Sequence, residues 1–539
     1  MVDSIGADVL IVGSGIAGSL LAERLAAPDT RVAILEAGPR IDRADAVERF
    51  WKAELKVPES PYPMSREAPH PTVADLDAWY VQAGPDKFKS TYLKVVGGTT
   101  WHWLGTCLRF LPDDFRLRSE FGRGVDWPIQ YEDLAPWYDA AEKAIGVSGD
   151  SGESLGSPRA LSYPMPKIPQ TWLDRRFAEA LAATHYEVRA TPQARNSAEY
   201  DDRPACCGSA SCIPICPVQA KYDATVQLKK AELKGVTVHA ETTATFIEVG
   251  AQGAISAIHF RRSDGTSGRA TARVFVLAAH AIETPRLLLA SQAEKAPHGV
   301  ANGSDQVGRN LMDHPTQLTW AHSRDPVWPY RGPLSTSGIE NLRTGPWRDS
   351  RGAFRVEIGN DGWAWPAGAP ISTASELAKQ GLRGAALDTQ LRDHAARHVR
   401  LAALVEQLPD ADNRVVLDDR ASDGFGIPRP RVHFRLDEYV QNGLAAARAV
   451  HEDVLRRLGV TGIWHREQAE GPGHIIGTTR MGTDPGTSVV DPNLRTHEHR
   501  NLFILGSGVF PTSGTANPTL TIAALSLRAA ASVKQTLAG

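Results

Sequence analysis

The chain reads as an α/β protein: a doubly wound, Rossmann-like dinucleotide-binding domain joined to a second, α+β domain built on an antiparallel sheet. Three observations predict this. Apolar runs at 7–12 and 31–35 flank an amphipathic stretch at 16–25, the β-α-β rhythm of a parallel sheet. Gly13-Ser-Gly15-Ile-Ala-Gly18 falls between the first strand and the first helix, where a phosphate-binding turn belongs. Between about 321 and 470 the pattern changes, with Val432, Phe434 and Leu436 separated by polar residues as in a half-buried antiparallel strand. With 539 residues, 42% of them apolar, the chain can bury a large core. Two units are expected: 1–320 with 471–539 as the dinucleotide-binding domain, carrying a cysteine-bearing insert at about 200–220, and 321–470 as the substrate-binding domain.

The elements follow in order. Residues 40–90 carry Pro58, Pro61, Pro63, Pro69 and Pro71, so an irregular excursion is predicted there. Residues 274–279 form another buried strand, followed by a helix from about Thr284 with Pro285 in its first turn. A helix starts near Asp437, is apolar at Val440, Leu444, Val450, Val454, Leu455 and Leu458, and stops before Gly459. A short buried strand at 502–505 and a helix over 516–533 close the chain and are expected to rejoin the first domain.

Several classes are excluded. The 59 Lys+Arg and 62 Asp+Glu give a formal net charge of −3, so no basic field exists to hold nucleic acid. The longest apolar stretches fall far short of the ~20 residues that cross a bilayer. Met1-Val-Asp-Ser-Ile-Gly has neither a basic nor a separate apolar region of a signal peptide, so any export would need a partner's address. No repeat or low-complexity segment appears.

In the glycine loop, Gly13, Gly15 and Gly18 permit a tight turn, close approach of a pyrophosphate to backbone N–H groups, and close helix packing. Glu36 ends the second strand, placed to accept hydrogen bonds from an adenosine ribose. The loop alone does not separate NAD from FAD.

Five further segments recur in order: Gly97-Gly98-Thr99-Thr100; Ala278-Ala279 through Glu283-Thr284-Pro285; Val307-Gly308-Arg309-Asn310-Leu311; His474 through Gly477-Thr478 to Met481-Gly482; and Gly514-Thr-Ala-Asn517-Pro518. With these the chain resembles the glucose–methanol–choline (GMC) oxidoreductases along nearly its whole length. Within that family it is most similar to the catalytic subunits of bacterial FAD-dependent glucose, fructose and sorbitol dehydrogenases, through 96–103, 203–217 and 310–315.

The resemblance implies FAD as cofactor and a hydride transfer that needs a base for the hydroxyl proton. His474, in Gly-Pro-Gly-His-Ile-Ile-Gly, is the candidate base, and Asn517 the amide partner that holds the same hydroxyl. Taken alone, His474 reads as a structural loop histidine and Asn517 as a helix cap. Gly97, Gly98 and Thr99 belong to the flavin-side loop, and Pro518 leads a helix whose N–H groups would face the flavin pyrimidine. His102, directly before Trp103, resembles the histidine that bonds the flavin 8α-carbon in pyranose-oxidising members; a packing role is the alternative. Cys107 reads as a small buried apolar residue.

Of five cysteines, four lie in Cys206-Cys207-x4-Cys212-x3-Cys216-Pro217. An iron–sulfur cluster leads over a structural zinc site or disulfides, because the ending resembles the close of a ferredoxin motif. The resemblance implies a 3Fe-4S cluster on three of the four thiolates; adjacent Cys206 and Cys207 point apart, so one of the two is expected to ligate, Cys206 with Cys212 and Cys216 being the first choice and Cys207 the alternative. It also implies a dehydrogenase passing electrons to a cytochrome-type acceptor, a small helper subunit carrying the export signal, and a multihaem c-type cytochrome subunit. Location is then periplasmic or membrane-associated through those partners, with the cytoplasm as alternative.

The expected activity is oxidation of a hydroxyl of glucose or a related hexose, hexitol or glycoside. An oxidase or dehydrogenase for non-sugar alcohols, and a non-catalytic flavin electron carrier, are the rivals. The similar members that handle glucose or fructose usually have Asn where this chain has Gly473 and His280, which alters the amides available to substrate. Trp328, Trp347, Trp363 and Trp365 are candidates for walling the pocket or for the core.

Overall fold

A computed structural model describes residues 3–54, 56–361 and 371–539. Its first unit is a five-stranded parallel sheet in the order Leu502–Ile504, Val274–Leu277, Val9–Val12, Val32–Leu35, Thr237–His239. Val9–Val12, Val32–Leu35 and Val274–Leu277 are buried throughout, which is why they read as continuous apolar runs. The helices Ile16–Leu25 and Thr519–Ala538 pack together against this sheet, so the chain's last helix returns to its first.

The second unit is a six-stranded antiparallel sheet in the order Val460–His465, Thr316–Ser323, His398–Val405, Phe354–Gly359, Ser337–Ile339, Val188–Ala190. Strand alternation divides it into two faces. Phe354, Val356, Ile358, Val399, Leu401 and Ala403 join a core shared with the helix Glu438–Leu458. Arg355, Glu357, Arg400, Ala402 and Leu404 take the other face. Glu438–Leu458 has the expected ends: Asp437 accepts from Val440 N at 3.0 Å, and Gly459, at φ 77°, closes it.

Several elements differ from expectation. The helix expected from Thr284 starts at His280 and runs to Ala290, leaving Pro285 in its interior. Proline leaves the carbonyl of Ala281 without its helical donor, and Thr478 Oγ1 donates to it at 2.6 Å instead. The stretch 40–90 contains the helix Arg43–Lys52, capped by Asp42 and lying in the proline-free part of that stretch, and the short strand Val81–Gln82. Strand Pro428–His433 is antiparallel to Arg414–Ser422 as its alternation indicates. It belongs, however, to a separate three-stranded sheet with Val81–Gln82, packed on His280–Ala290. Val188–Ala190 enters the six-stranded sheet from outside 321–470. The closing helix begins at Thr519, after Pro518, and Ser513, Gly514 and Asn517 ahead of it belong to the site described next. Among the described residues no helix is long and apolar enough to cross a membrane.

Candidate active site

A cavity of about 430 Å³ runs from the glycine loop, past Glu36 and the 98–106 segment, to His474 and Asn517, and on to the charged face of the antiparallel sheet. Its first part is a backbone cradle. Gly13 stands at φ 102°, and a Cβ there would lie 2.4 Å from Ala278 O. A Cβ on Gly18 would lie 2.1 Å from Gly13 O, so only glycine lets the helix sit this close to the turn. Gly98 at φ 57° brings the second loop against Gly15, so the two glycine segments meet at the cavity wall, with Gly97 and Thr99 beside them.

Glu36 lines the cavity but is already bonded: Ser14 N and Oγ donate to Oε2 at 3.0 and 2.6 Å, and Gly38 N to Oε1 at 3.0 Å. Burial raises its pKa while these donors oppose the shift. Through these bonds it braces the glycine loop. His102 is buried on the cavity wall, its Nδ1 without a partner and its other nitrogen facing the Pro58 carbonyl. Burial, with the Lys221 ammonium nearby, lowers its pKa to about 3, so the ring is neutral with an open lone pair. The cradle that a Cβ would fill and this orphaned nitrogen both fit a dinucleotide carrying a flavin.

At the far end His474 Nε2 and Asn517 Nδ2 lie 3.2 Å apart. Behind His474 stands His314, Nδ1 to Nδ1 at 2.9 Å, with His314 Nε2 at 2.9 Å from Gly514 O and 3.2 Å from Ser513 O. Carbonyls only accept, so His314 carries its proton on Nε2 and its Nδ1 accepts from His474 Nδ1–H. His474 Nε2 is thereby a bare lone pair, and Asn517 faces it with the donating end of its amide. The other end, Oδ1, accepts from Arg355 Nη1 at 3.4 Å. Every joint of this chain has its direction set by an acceptor-only carbonyl at one end and a donor-only guanidinium at the other.

Burial, then His314 and Arg355, hold the His474 pKa well below the usual imidazole range, and burial lowers His314 to about 4. Asp313 Oδ1 accepts from the backbone N–H groups of His314 at 2.7 Å and His474 at 3.1 Å, tying both histidines' main chains together. Burial raises Asp313 to about 6.

The structure brings His474 and Asn517 together, but Asn517 does not cap the helix. Pro518 occupies the cap position and the amide is spent on His474 and Arg355. Sequence reasoning missed Asp313, His314 and Arg355 as site residues. The first two lie within 310–315, but no periodicity links His314 to a residue 160 positions away. Gly473, at φ 83°, is a position where asparagine or any side chain is strained, and a Cβ would lie 3.0 Å from Thr91 O. His280 lines the cavity, stacked on Tyr92 at 4.4 Å between ring centroids. Trp328 and Trp347 do not line the cavity, whereas Trp363 and Trp365 lie outside the described residues.

In the cysteine segment, Cys212 and Cys216 are buried, Cys206 is half-buried and Cys207 is exposed. Gly208 N donates to Cys206 Sγ and Lys221 N to Cys216 Sγ, each at 3.4 Å. The donor set is soft, and Cys206 rather than Cys207 turns inward. Yet among the described residues no three His, Cys, Asp or Glu side chains gather closely enough to hold a metal ion, so the thiols as placed do not form a closed ligand set. Cys107 is fully buried, and burial pushes its thiol pKa up, in keeping with an inert apolar role.

Family models described as GMC oxidoreductase match residues 7–316 and 409–526. The chain is 40% identical to the fructose dehydrogenase large subunit of Gluconobacter japonicus, over 98% of each chain. It is 30% identical to paromamine 6'-oxidase of Streptomyces fradiae, over 98% of this chain and 91% of that one. Among solved structures, pyridoxine 4-oxidase from Mesorbium loti matches with a TM-score of 0.64 at 20% identity, covering 98% of this chain and 99% of that one, which shows a shared fold.

Proposed function

This chain belongs to the GMC oxidoreductase family, and on that premise we propose that it is a FAD-dependent dehydrogenase oxidising a hydroxyl of a hexose, hexitol or glycoside. The observation that carries the reading is the bare Nε2 of His474 beside the Asn517 amide, at the end of a cavity continuous with the glycine cradle. The likeness to a fructose dehydrogenase large subunit along 98% of both chains supports a sugar as substrate.

Bound FAD supplies the acceptor for a hydride leaving the alcohol carbon. The protein's part is the proton and the geometry. His474 Nε2 takes the hydroxyl proton, and Asn517 Nδ2 donates to the same oxygen and holds it in line. His314 keeps the lone pair on Nε2 by occupying Nδ1, then shares the charge of the protonated ring through the same bond. The N-terminal end of Thr519–Ala538 opens on the cavity, where its N–H groups favour negative charge.

The finer parts of the proposal are these. The acceptor is a cytochrome-type protein and not oxygen. Cys206, Cys212 and Cys216 would hold an iron–sulfur cluster only by drawing closer than the placement described, in which they do not close a ligand set; the inward turn of Cys206 and the N–H groups directed at two sulfurs are the support. His102 would carry the flavin covalently, supported by its place on the cavity wall and a buried Nδ1 without a hydrogen-bond partner. The chain would work with a small helper subunit and a multihaem c-type cytochrome subunit, in the periplasm or at the membrane through them. The test is anaerobic mixing of the purified protein with D-fructose, D-glucose and D-sorbitol while the visible spectrum is recorded, followed by turnover with a dye and with oxygen. Bleaching by a sugar and turnover with dye alone support the reading; bleaching by simple alcohols only, or rapid peroxide formation, overturns it.

A further inference from the structure

The cavity face of the antiparallel sheet carries an alternating run of charges. Arg355 donates to Glu340 from Nη2 at 2.7 Å and from Nε at 3.1 Å, and its Nη1 stands 3.4 Å from Glu357 Oε2. Glu357 Oε1 stands 3.6 Å from Arg400, whose Nε donates to Asp361 Oδ1 at 2.8 Å. All five side chains are 9% exposed or less. Burying charges costs several kcal/mol each before pairing, and an apolar set of similar volume often serves stability as well.

The five are not equally satisfied. Glu340 takes two short bonds from Arg355, and Asp361 takes one from Arg400. Glu357 takes one long bond, from Arg355 Nη1 to Oε2 at 3.4 Å, and its Oε1 has Arg400 at 3.6 Å, beyond hydrogen-bond distance. Burial raises its pKa despite both guanidinia. It lines the same cavity as His474 and Asn517, as do Arg400 and Asp361. A buried carboxylate with acceptor capacity to spare, on a cavity wall beside a guanidinium, matches an alcohol group: the hydroxyl donates to the carboxylate and accepts from the guanidinium.

We propose that Glu357 and Arg400 form a second subsite, which holds a hydroxyl of the substrate other than the one being oxidised. Arg355 sets its spacing from the reacting end, because the one guanidinium stands 3.4 Å from both Glu357 Oε2 and Asn517 Oδ1. The subsite rests on the function proposed above and narrows it to polyhydroxylated substrates. A single-hydroxyl alcohol would reach His474 but leave the spare acceptor capacity of Glu357 unfilled.

The test uses the flavin-loaded wild type and Glu357→Gln, each titrated with whichever of D-fructose, D-glucose and D-sorbitol reduces the wild type, with deoxy analogues of that sugar, and with cyclohexanol. The expected result is a KM for the sugar raised ~10- to 100-fold in the variant with kcat within about threefold. One deoxy analogue should show the same loss on the wild type and no further loss on the variant, and cyclohexanol should not distinguish the two proteins. An unchanged KM for the sugar, or an equal loss for sugar and cyclohexanol, overturns the subsite. Should Glu357→Gln fail to hold flavin, Arg400→Lys is read against the same criteria. A wild type reduced by no sugar removes the proposed function and the subsite with it, whereas a sugar-reduced wild type beside an indifferent variant removes the subsite alone.

Discussion

His314 and His474 face one another through their Nδ1 atoms at 2.9 Å, although 160 residues separate them in sequence. Because His314 spends its Nε2 proton on the carbonyls of Gly514 and Ser513, the contact has one polarity, with His474 donating. The unprotonated nitrogen of His474 is therefore the one that faces Asn517.

Replacing His314 by alanine removes the group that selects this tautomer. Flavin reduction by substrate should slow ~10- to 1,000-fold with KM changed little, since the loss falls on proton transfer and not on binding. Single-turnover kinetics under nitrogen checks this; a wild-type rate would show that the tautomer needs no clamp.

The pH profile follows from the low pKa of His474. A base whose folded pKa lies well below 6.5 stays unprotonated as pH falls through the ordinary imidazole range. The acid limb of kcat/KM should thus be centred no higher than about 6, where Asp313 takes up its proton. An acid limb centred at 6.5 or above contradicts the electrostatics of the site.

Acid stability is a separate consequence. His102 titrates at about 3 and His280 and His314 at about 4 in the fold, because burial keeps them neutral. Above pH 6.5 folded and unfolded chains hold equal protons at these sites and the stability is fully present. Between pH 6.5 and 4 only the unfolded chain gains them, so stability falls by up to ~1.4 kcal/mol per pH unit for each fully mismatched histidine. Thermal melts across that window should show Tm dropping with pH; a flat Tm would contradict it.

Gly13→Ala places a methyl group 2.4 Å from Ala278 O at a φ of 102°, and Gly18→Ala one at 2.1 Å from Gly13 O. Either variant should purify without the yellow band, or not fold. Flavin content measured after gel filtration decides the point.

For the cysteine segment, Cys207→Ser should leave iron and acid-labile sulfide at the wild-type level, while Cys206→Ser, Cys212→Ser and Cys216→Ser should each lower them together. Wild-type protein matured and purified without oxygen yet free of iron would remove the cluster from the proposal.

The parts legible in the sequence are those written in local patterns. The glycine loop, the buried strands 9–12, 32–35 and 274–277, and the helix between Asp437 and Gly459 each announce themselves within one stretch of chain. The candidate base and its amide were legible through motif likeness. The groups that orient them were not: Arg355 reads as one polar residue of an alternating strand, and its role appears only when the sheet lays it against Asn517 from 162 residues away. The start of His280–Ala290 was misplaced because Pro285 signals a first turn unless a distant donor such as Thr478 relieves it. Arg43–Lys52 was masked by the prolines that follow it.

Anaerobic rapid mixing of wild-type and His474→Ala proteins with the same sugar, followed at the flavin band, tests the assigned chemistry most directly. The expected result is prompt bleaching in the wild type, and in the variant a retained, bound flavin bleached at least ~100-fold more slowly. Bleaching of the variant at the wild-type rate would contradict the assignment of His474 as the base.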